Sequence, residues 1–289
     1  MVFGISFNNS PLVRASINTA TLGHRLPIRE MIDMVARHGF GAIAPWRRDI
    51  DGEDVRVVAR QIREAGLTVS SYCRSTYFPA PTREERLANI ADNIEALRTA
   101  AELGAACFVL VVGGLPEGSR DLAAARSQVV DGIAALLDEA RQLATPLALE
   151  PLHPMYAADR SSVNTLAQAL DICEVLEPEG MQALGVALDV YHVWWDPQIA
   201  QGIARAGSAG RLVAFHLSDW RVPTRDLLMD RAMIGDGVID LPLFVKAVAD
   251  AGYRGHAEVE IFSNEIWQWP PDEVLAICAE RLTGLLSAL

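Results

Sequence analysis

Short apolar segments rich in β-branched residues alternate with amphipathic segments along the whole chain. Because the apolar segments do not alternate with polar residues, they are typical of parallel strands buried on both faces. They predict eight strands, at residues 15–22, 41–46, 68–73, 107–112, 146–150, 185–189, 212–217 and 256–262. The amphipathic segments predict helices that begin near Pro27, Gly52, Thr82, Asp121, Val163, Pro197, Leu241 and Asp272. Asp240 is expected to cap one of these helices, and Gly252 to end it.

Eight successive strand-helix pairs predict an α/β fold, a (β/α)₈ TIM barrel, in which residues 1–289 form a single domain. A doubly wound open sheet is the alternative, but the Gly-x-Gly-x-x-Gly phosphate loop typical of that fold is absent from the sequence. In a barrel, functional side chains project from the carboxyl ends of the strands.

Acidic and imidazole side chains stand at the ends of four consecutive predicted strands. They are Glu150, Asp189, His216 and Glu260. A single such residue is more often a hydrogen-bonded cap, but three carboxylates and one imidazole that converge on one axis repel one another unless a cation lies between them. A donor set of mostly oxygen with one nitrogen suits Mn²⁺, Mg²⁺ or Co²⁺, of which we expect Mn²⁺.

Composition excludes several classes of function. The formal net charge is −12, so the chain lacks the basic surplus with which proteins neutralise nucleic-acid phosphates. Lys246 is the only lysine, and it lies in a predicted helix. Lysine-imine chemistry at a strand end is therefore excluded.

The cellular setting is also indicated. The four cysteines form no Cys-x-x-Cys pair. This spacing predicts small buried core residues in a protein of a reducing compartment. The segment from Met1 to Ser10 lacks a basic region followed by a long apolar run, so a signal peptide is not expected. No apolar stretch reaches membrane-spanning length, and we expect a cytoplasmic protein.

Four short motifs together resemble the sugar isomerase/epimerase superfamily with the xylose-isomerase-like barrel. They are Glu150-Pro-Leu, Asp189-x-x-His192, His216 and Gly255-x-x-x-x-Glu260. That superfamily includes D-tagatose 3-epimerase, the inosose dehydratases and lyases that cleave 3-oxo-C-glycosides. The resemblance implies that Glu150, Asp189, His216 and Glu260 bind one divalent metal. It also implies that the two glutamates move protons and that His192 hydrogen-bonds a substrate oxygen.

Other residues near the predicted strand ends depart from the family pattern. His153 follows Glu150 by three residues and is either an additional general acid/base or a loop histidine bonded to backbone. Trp46 either walls the pocket or packs in the core. Glu258 shares the parity of Glu260 but is expected deeper in the barrel. Candidate anion or hydroxyl clamps are Arg74, Arg160 and Arg221, with Arg225 as the alternative to Arg221.

The leading hypothesis is a metal-dependent sugar isomerase or epimerase that abstracts a proton next to a carbonyl and forms an enediolate. The alternative is a lyase or dehydratase that eliminates a β-substituent from a keto-sugar or 3-oxo-glycoside. An endonuclease-IV-like phosphodiesterase and a non-catalytic sugar-binding barrel are weaker alternatives. We expect a small carbohydrate substrate and a homo-oligomer or a hetero-subunit, with no nucleic-acid or membrane partner.

Overall fold

The computed structural model describes residues 10–287, so all but the last residue of the segment on which the signal-peptide prediction rests lies outside the described part. The strands are β1 (Ala15–Asn18), β2 (Ala42–Ala44), β3 (Thr68–Val69), β4 (Phe108–Leu110), β5 (Leu147–Leu149), β6 (Leu184–Asp189), β7 (Leu212–Leu217), β8 (Asp219–Trp220), β9 (Arg231–Ala232) and β10 (Ala257–Val259). The helices are α1 (Ile28–Arg37), α2 (Arg47–Ile50), α3 (Val55–Glu64), α4 (Arg83–Leu103), α5 (Leu122–Leu143), α6 (Leu166–Leu176), α7 (Val190–Val193), α8 (Ile199–Ser208), α9 (Leu241–Asp250) and α10 (Pro271–Leu286).

Eight parallel strands form one curled sheet in the order β3-β2-β1-β10-β7-β6-β5-β4. The two edge strands approach each other, and Tyr72, just beyond β3, bridges to Phe108 of β4. The amide of Tyr72 donates to Cys107 O at 3.0 Å, and Val109 donates back to Tyr72 O at 3.0 Å. The architecture is a (β/α)₈ TIM barrel, as the sequence predicts.

Several helix boundaries follow from capping chemistry. The Asp240 carboxylate accepts the Leu243 amide at 3.1 Å. Helix α9 ends at Asp250 and is followed by its C-cap Ala251 and by Gly252, which has a φ of 86° and stops the helix as predicted. A capping box between Thr82 and Glu85 begins α4. The prediction that a helix begins near Gly52 is early by about three residues, because Asp54 caps α3.

The first strand is shorter than predicted. It ends at Asn18, whose side chain accepts the Ala20 amide at 3.0 Å and begins a 3₁₀ helix over Thr19–Leu22. Asn18 therefore lies at the carboxyl end of β1. In a strand that extended to residue 22, it would have been in the middle. This change matters because Asn18 is buried beside the functional side chains.

The barrel interior is filled below the rim by small and β-branched side chains. One layer consists of Cys73, Cys107, Val109, Ala148, Ala187 and Ala214. All four cysteines are buried and free, as their spacing predicts. None of the described helices combines the length and the apolar character that a membrane crossing requires.

Candidate metal centre

The four predicted ligands lie at the carboxyl ends of β5, β6, β7 and β10. Glu150 and Glu260 directly follow β5 and β10, while Asp189 and His216 are register partners on β6 and β7. The order of the sheet places the two central strands between β5 and β10. The glutamates therefore stand on either side of the Asp189–His216 pair.

These four side chains form a compact buried cluster. One donor atom from each of Glu150, Asp189, His216 and Glu260 lies within 4.8 Å of the others. The amide of Glu150 donates to Leu110 O at 3.1 Å, and that of Glu260 donates to Leu217 O at 2.9 Å. Both glutamates are thus fixed by hydrogen bonds to the barrel backbone.

His216 is held between two carboxylates. Its Nδ1 lies 3.0 Å from Glu150 Oε1, and its Nε2 lies 3.6 Å from Glu258 Oε1. Glu258 lies one layer deeper, as expected, where it accepts from Asn18 Nδ2 at 2.8 Å and Ser70 Oγ at 2.8 Å. A carboxylate behind the second nitrogen of a ligating imidazole fixes the orientation of the ring.

A buried arginine at the start of β9 completes the cluster. Arg231 Nη1 donates to Asp189 Oδ2 at 2.9 Å and lies 3.3 Å from Glu260 Oε2. Its Nη2 lies 3.2 Å from His192 Nε2, whereas His192 Nδ1 is buried without a hydrogen-bond partner among the described residues. One guanidinium cannot balance the three carboxylates of the cluster, so the donor set fits a hard divalent cation.

Burial and neighbouring charge shift the protonation of the cluster. Burial raises the pKa of Glu260 to about 8, against the opposing charge of Arg231. Burial also lowers the pKa of His192 to about 3, so its ring is neutral at physiological pH. Burial opposes protonation of His216, but Glu258, Glu150 and Glu260 raise its pKa well above the ordinary value. Although burial acts in the other direction, Arg231 and His192 hold the pKa of Asp189 below its usual value.

A small cavity opens onto Glu150 and Glu260. Among the predicted site residues, Trp46, Arg74, Arg160 and His192 also line it. Trp46 packs edge-on against Phe262 with ring centroids 5.3 Å apart. The cavity is therefore bounded by the acidic cluster, aromatic rings and arginines.

Four predicted site residues lie outside this lining: Asp189 and His216, which belong to the buried cluster, and His153 and Arg221. His153 stacks on Trp220 with ring centroids 5.2 Å apart, and its Nδ1 accepts the Met155 amide at 3.3 Å. This placement corresponds to the loop-histidine alternative. Arg221 lies 3.2 Å from Asp230, so Arg231, rather than Arg221 or Arg225, brings its guanidinium into the cluster.

Sequence reasoning missed Arg231 and Asn18. Arg231 precedes the apolar run Ala-Met-Ile, and an arginine beside such a run is expected to be buried with an acidic partner. Asn18 was hidden inside an overlong predicted strand. Asn18 donates to Glu260 Oε1 at 3.1 Å as well as to Glu258. A polar residue at position 18 of an otherwise apolar segment is the feature of the sequence that could have indicated the end of β1.

The model of the xylose isomerase-like TIM barrel family matches residues 32–282. The chain belongs to that family.

Two curated relatives are enzymes. An inosose isomerase of Halalkalibacterium halodurans is 23% identical over 168 residues, which cover 56% of this chain and 57% of the relative. A 3-dehydroshikimate dehydratase of Pseudomonas aeruginosa is 28% identical over 262 residues, or 87% of this chain and 38% of the relative. The chain thus spans about half or less of the length of these relatives.

Two solved structures share the fold closely. A protein from Sinorhizobium meliloti 1021 has a TM-score of 0.89 and 52% identity, covering 93% of this chain and 96% of that protein. The IolI protein with a bound zinc atom has a TM-score of 0.81 and 19% identity, covering 95% of this chain and 98% of that protein. The second likeness concerns the fold alone.

Proposed function

We propose that this chain is a divalent-metal-dependent isomerase or epimerase that removes a proton next to the carbonyl of a keto-sugar or related polyol. The observation that carries the proposal is the cluster of Glu150, Asp189, His216 and Glu260, with donor atoms within 4.8 Å of one another. The cluster brings three buried carboxyl groups together with one imidazole and one arginine, and this donor set suits a divalent cation.

The two glutamates act as the acid/base pair. When bound by Glu150, Asp189, His216 and Glu260, a divalent cation supplies positive charge beside the oxygens on which negative charge develops. Because Glu150 and Glu260 approach from opposite sides of the cluster, one carboxylate takes the proton from carbon and the other returns one. Transfer on opposite faces is what inversion at a carbon requires.

The other lining residues orient the substrate. Neutral His192 donates a hydrogen bond to the carbonyl or adjacent hydroxyl oxygen, and Arg231 fixes the ring through its contact at 3.2 Å. Trp46 presents an apolar face against the carbon skeleton and excludes water from the reacting carbon. His153 is a structural residue in this scheme.

Dehydration is the second candidate. The curated dehydratase aligns over 87% of this chain, whereas the isomerase aligns over 56%. The same first proton abstraction followed by loss of a β-substituent would give this outcome. Lyase activity on 3-oxo-glycosides belongs to the same class of reaction.

Mn²⁺ is the proposed metal, with Mg²⁺ or Co²⁺ as substitutes, because oxygen donors dominate the set. The zinc in the IolI structure supports a divalent site in this fold. A small carbohydrate substrate is supported by the names of the relatives. Cytoplasmic location and a homo-oligomer or hetero-subunit remain predictions.

Solvent deuterium exchange tests this proposal. The Mn²⁺-loaded protein is incubated in D₂O with ketoses, inososes and 3-oxo-glycosides, and the carbon next to the carbonyl is analysed by mass spectrometry and NMR. We expect exchange that falls by about 10²- to 10⁴-fold in Glu150→Gln and Glu260→Gln. An exposed acidic residue, Glu179, supplies the control variant Glu179→Gln, which should exchange like the wild-type chain.

The products separate the two candidates. An exchanged product of unchanged mass, apart from deuterium, supports isomerisation or epimerisation, and a product that has lost water or a glycosidic fragment supports elimination. Exchange that survives in both glutamate variants would contradict the assignment of the acid/base pair.

A further inference from the structure

Two arginines that line the cavity have no acidic partner. Arg74 and Arg160 both border it, yet within residues 10–287 neither guanidinium lies within 4.0 Å of a carboxylate oxygen. The residues outside this range contain no Asp or Glu. The two guanidiniums therefore have no acidic side chain of this chain to neutralise them.

Four other arginines near the carboxyl rim are paired with carboxylates. Arg47 donates to Asp92 at 2.8 Å, Arg221 and Arg225 both contact Asp230, and Arg231 donates to Asp189. Arg74 and Arg160 differ from these four, although they border the same cavity as Arg231.

Aromatic rings and backbone hold the pair in place instead. The Arg74 guanidinium lies 4.8 Å from the Tyr77 ring centroid and donates to Ser75 O at 3.2 Å. The Arg160 guanidinium lies 5.5 Å from the Tyr156 ring centroid, and its buried Nε has no hydrogen-bond partner among the described residues. Burial and the like charge of Arg160 lower the pKa of Arg74. Two cations held together without an anion are costly unless a ligand supplies one.

The other charged groups near the cavity have partners of their own. The three carboxylates of the cluster would offset one divalent cation together with Arg231, and Glu258 accepts hydrogen bonds from Asn18 and Ser70. Arg74 and Arg160 are left as excess positive charge on the cavity wall. Their fork-like donors suit a planar or tetrahedral oxyanion.

We propose that Arg74 and Arg160 bind an oxyanion substituent of the substrate, so that the natural substrate is an acidic keto compound rather than a neutral sugar. This inference rests on the proposed function, because it assumes that the keto group of the same molecule lies at the acidic cluster. The shared chemistry is a carboxylate or a phosphate monoester.

The test measures binding by calorimetry on the Mn²⁺-loaded chain with three probes on one keto-sugar skeleton: D-fructose, D-fructuronate and D-fructose 6-phosphate. We expect one of the two anionic probes to bind at least about tenfold more tightly than D-fructose, as a charge-assisted hydrogen-bonded pair implies. Preference for D-fructuronate identifies a carboxylate, and preference for D-fructose 6-phosphate identifies a phosphate.

Variants locate the source of the preference. Arg74→Met and Arg160→Met should each abolish most of this preference, measured as the ratio of the affinity for the anionic probe to the affinity for D-fructose, and Arg160→Lys should retain part of it because the charge persists. The matched control is Arg56→Met, which removes an exposed arginine that pairs with Glu102. Circular dichroism and metal content verify that each variant is folded and loaded.

Equal affinity for the three probes would overturn the inference, as would a preference that survives in Arg74→Met, Arg160→Met and the control alike. Metal content and deuterium exchange into D-fructose are measured on the same samples. If metal and exchange persist while the anion preference is absent, only this inference fails. If metal does not bind, the proposed function fails first.

Discussion

Strands β6 and β7 have a cluster of buried charged side chains at each end. The two clusters differ in how completely their charges are paired. At the amino ends, Glu177 and Arg211 form a base cluster that also receives Arg141. At the carboxyl ends, Asp189 and His216 belong to the rim cluster with Glu150 and Glu260. The cluster at the amino ends therefore contains paired acidic and basic side chains, whereas the cluster at the carboxyl ends contains more acidic than basic side chains.

Every charge of the base cluster is satisfied by short contacts. Glu177 accepts the amides of Gln182, Ala183 and Leu184 at 2.9 to 3.2 Å. Arg211 donates to Leu184 O at 2.8 Å and to Glu177 O at 2.5 Å. This cluster joins the loop before β6 to the start of β7 and is complete without a ligand.

The rim cluster is not complete in this sense. Three carboxylates face one arginine, and the described residues offer no hydrogen-bond partner to His216 Nε2 or His192 Nδ1. Buried charge without compensation costs stability, and it persists in proteins chiefly at functional sites. Both clusters are buried. The completeness of charge pairing and hydrogen bonding therefore distinguishes the structural ion cluster from the candidate binding site.

The largest expected effect is on the base cluster. Glu177→Ala leaves Arg211 buried without its partner and three amides without an acceptor, so the free energy of unfolding should fall by about 3–5 kcal/mol. Urea unfolding measures the change. Glu179→Ala removes an exposed acid two residues away and should change the free energy by no more than about 0.5 kcal/mol.

If Glu177→Ala lowers the free energy of unfolding no more than the Glu179→Ala control does, the base cluster is not a stabilising ion cluster. The corresponding substitution at the rim is Glu260→Gln. Above pH 8, where the buried Glu260 carboxyl ionises, metal-free Glu260→Gln should be at least as stable as the metal-free wild-type chain, because the substitution relieves repulsion among the carboxylates while keeping the shape of the side chain.

The next effect is stabilisation by metal. Mn²⁺ at about 100 times its dissociation constant should raise the free energy of unfolding of the wild-type chain by about 2.7 kcal/mol. Glu260→Gln should lose most of this gain, whereas Glu179→Ala should keep it. Equal stabilisation of Glu260→Gln and wild type in a urea titration would place the bound metal elsewhere.

Much of the fold is predictable because it depends on local signals. The eight strand-helix pairs and the Asp240 cap follow from hydrophobic runs and capping residues. Strand ends are less predictable, since Asn18 ends β1 through a side-chain hydrogen bond that hydrophobicity does not reveal.

The meeting of Glu150, Asp189, His216 and Glu260 is predictable because the carboxyl ends of successive parallel strands converge in a barrel. Arg231 is not, because it lies on the two-residue strand β9, whose position depends on pairing with β8 and on contacts distant in sequence. Arg221 and Arg225 are the two arginines that spacing alone favoured as substrate contacts. Both pair with Asp230 instead of joining the rim cluster.

The smallest effect is the acid dependence of the base cluster. Burial opposes ionisation of Glu177, but the amides of Gln182, Ala183 and Leu184, together with Arg141, lower its pKa below 4.5. Its contribution to stability is therefore present above pH 4.5 and is lost as the pH falls through the lowered pKa. The difference in unfolding free energy between wild type and Glu177→Gln should shrink below that pH, and a difference that is constant from pH 7 to pH 3 would contradict this account.

The central claim is that the rim cluster binds one divalent metal. Metal content after equilibration with Mn²⁺ and gel filtration, measured by plasma mass spectrometry, tests it directly. The wild-type chain and Glu179→Ala should each retain about one ion per chain, and the double variant Asp189→Asn/His216→Gln less than about a tenth as much. A wild-type chain that retains no Mn²⁺, Mg²⁺, Co²⁺ or Zn²⁺, or a double variant that retains as much metal as wild type, would contradict the claim.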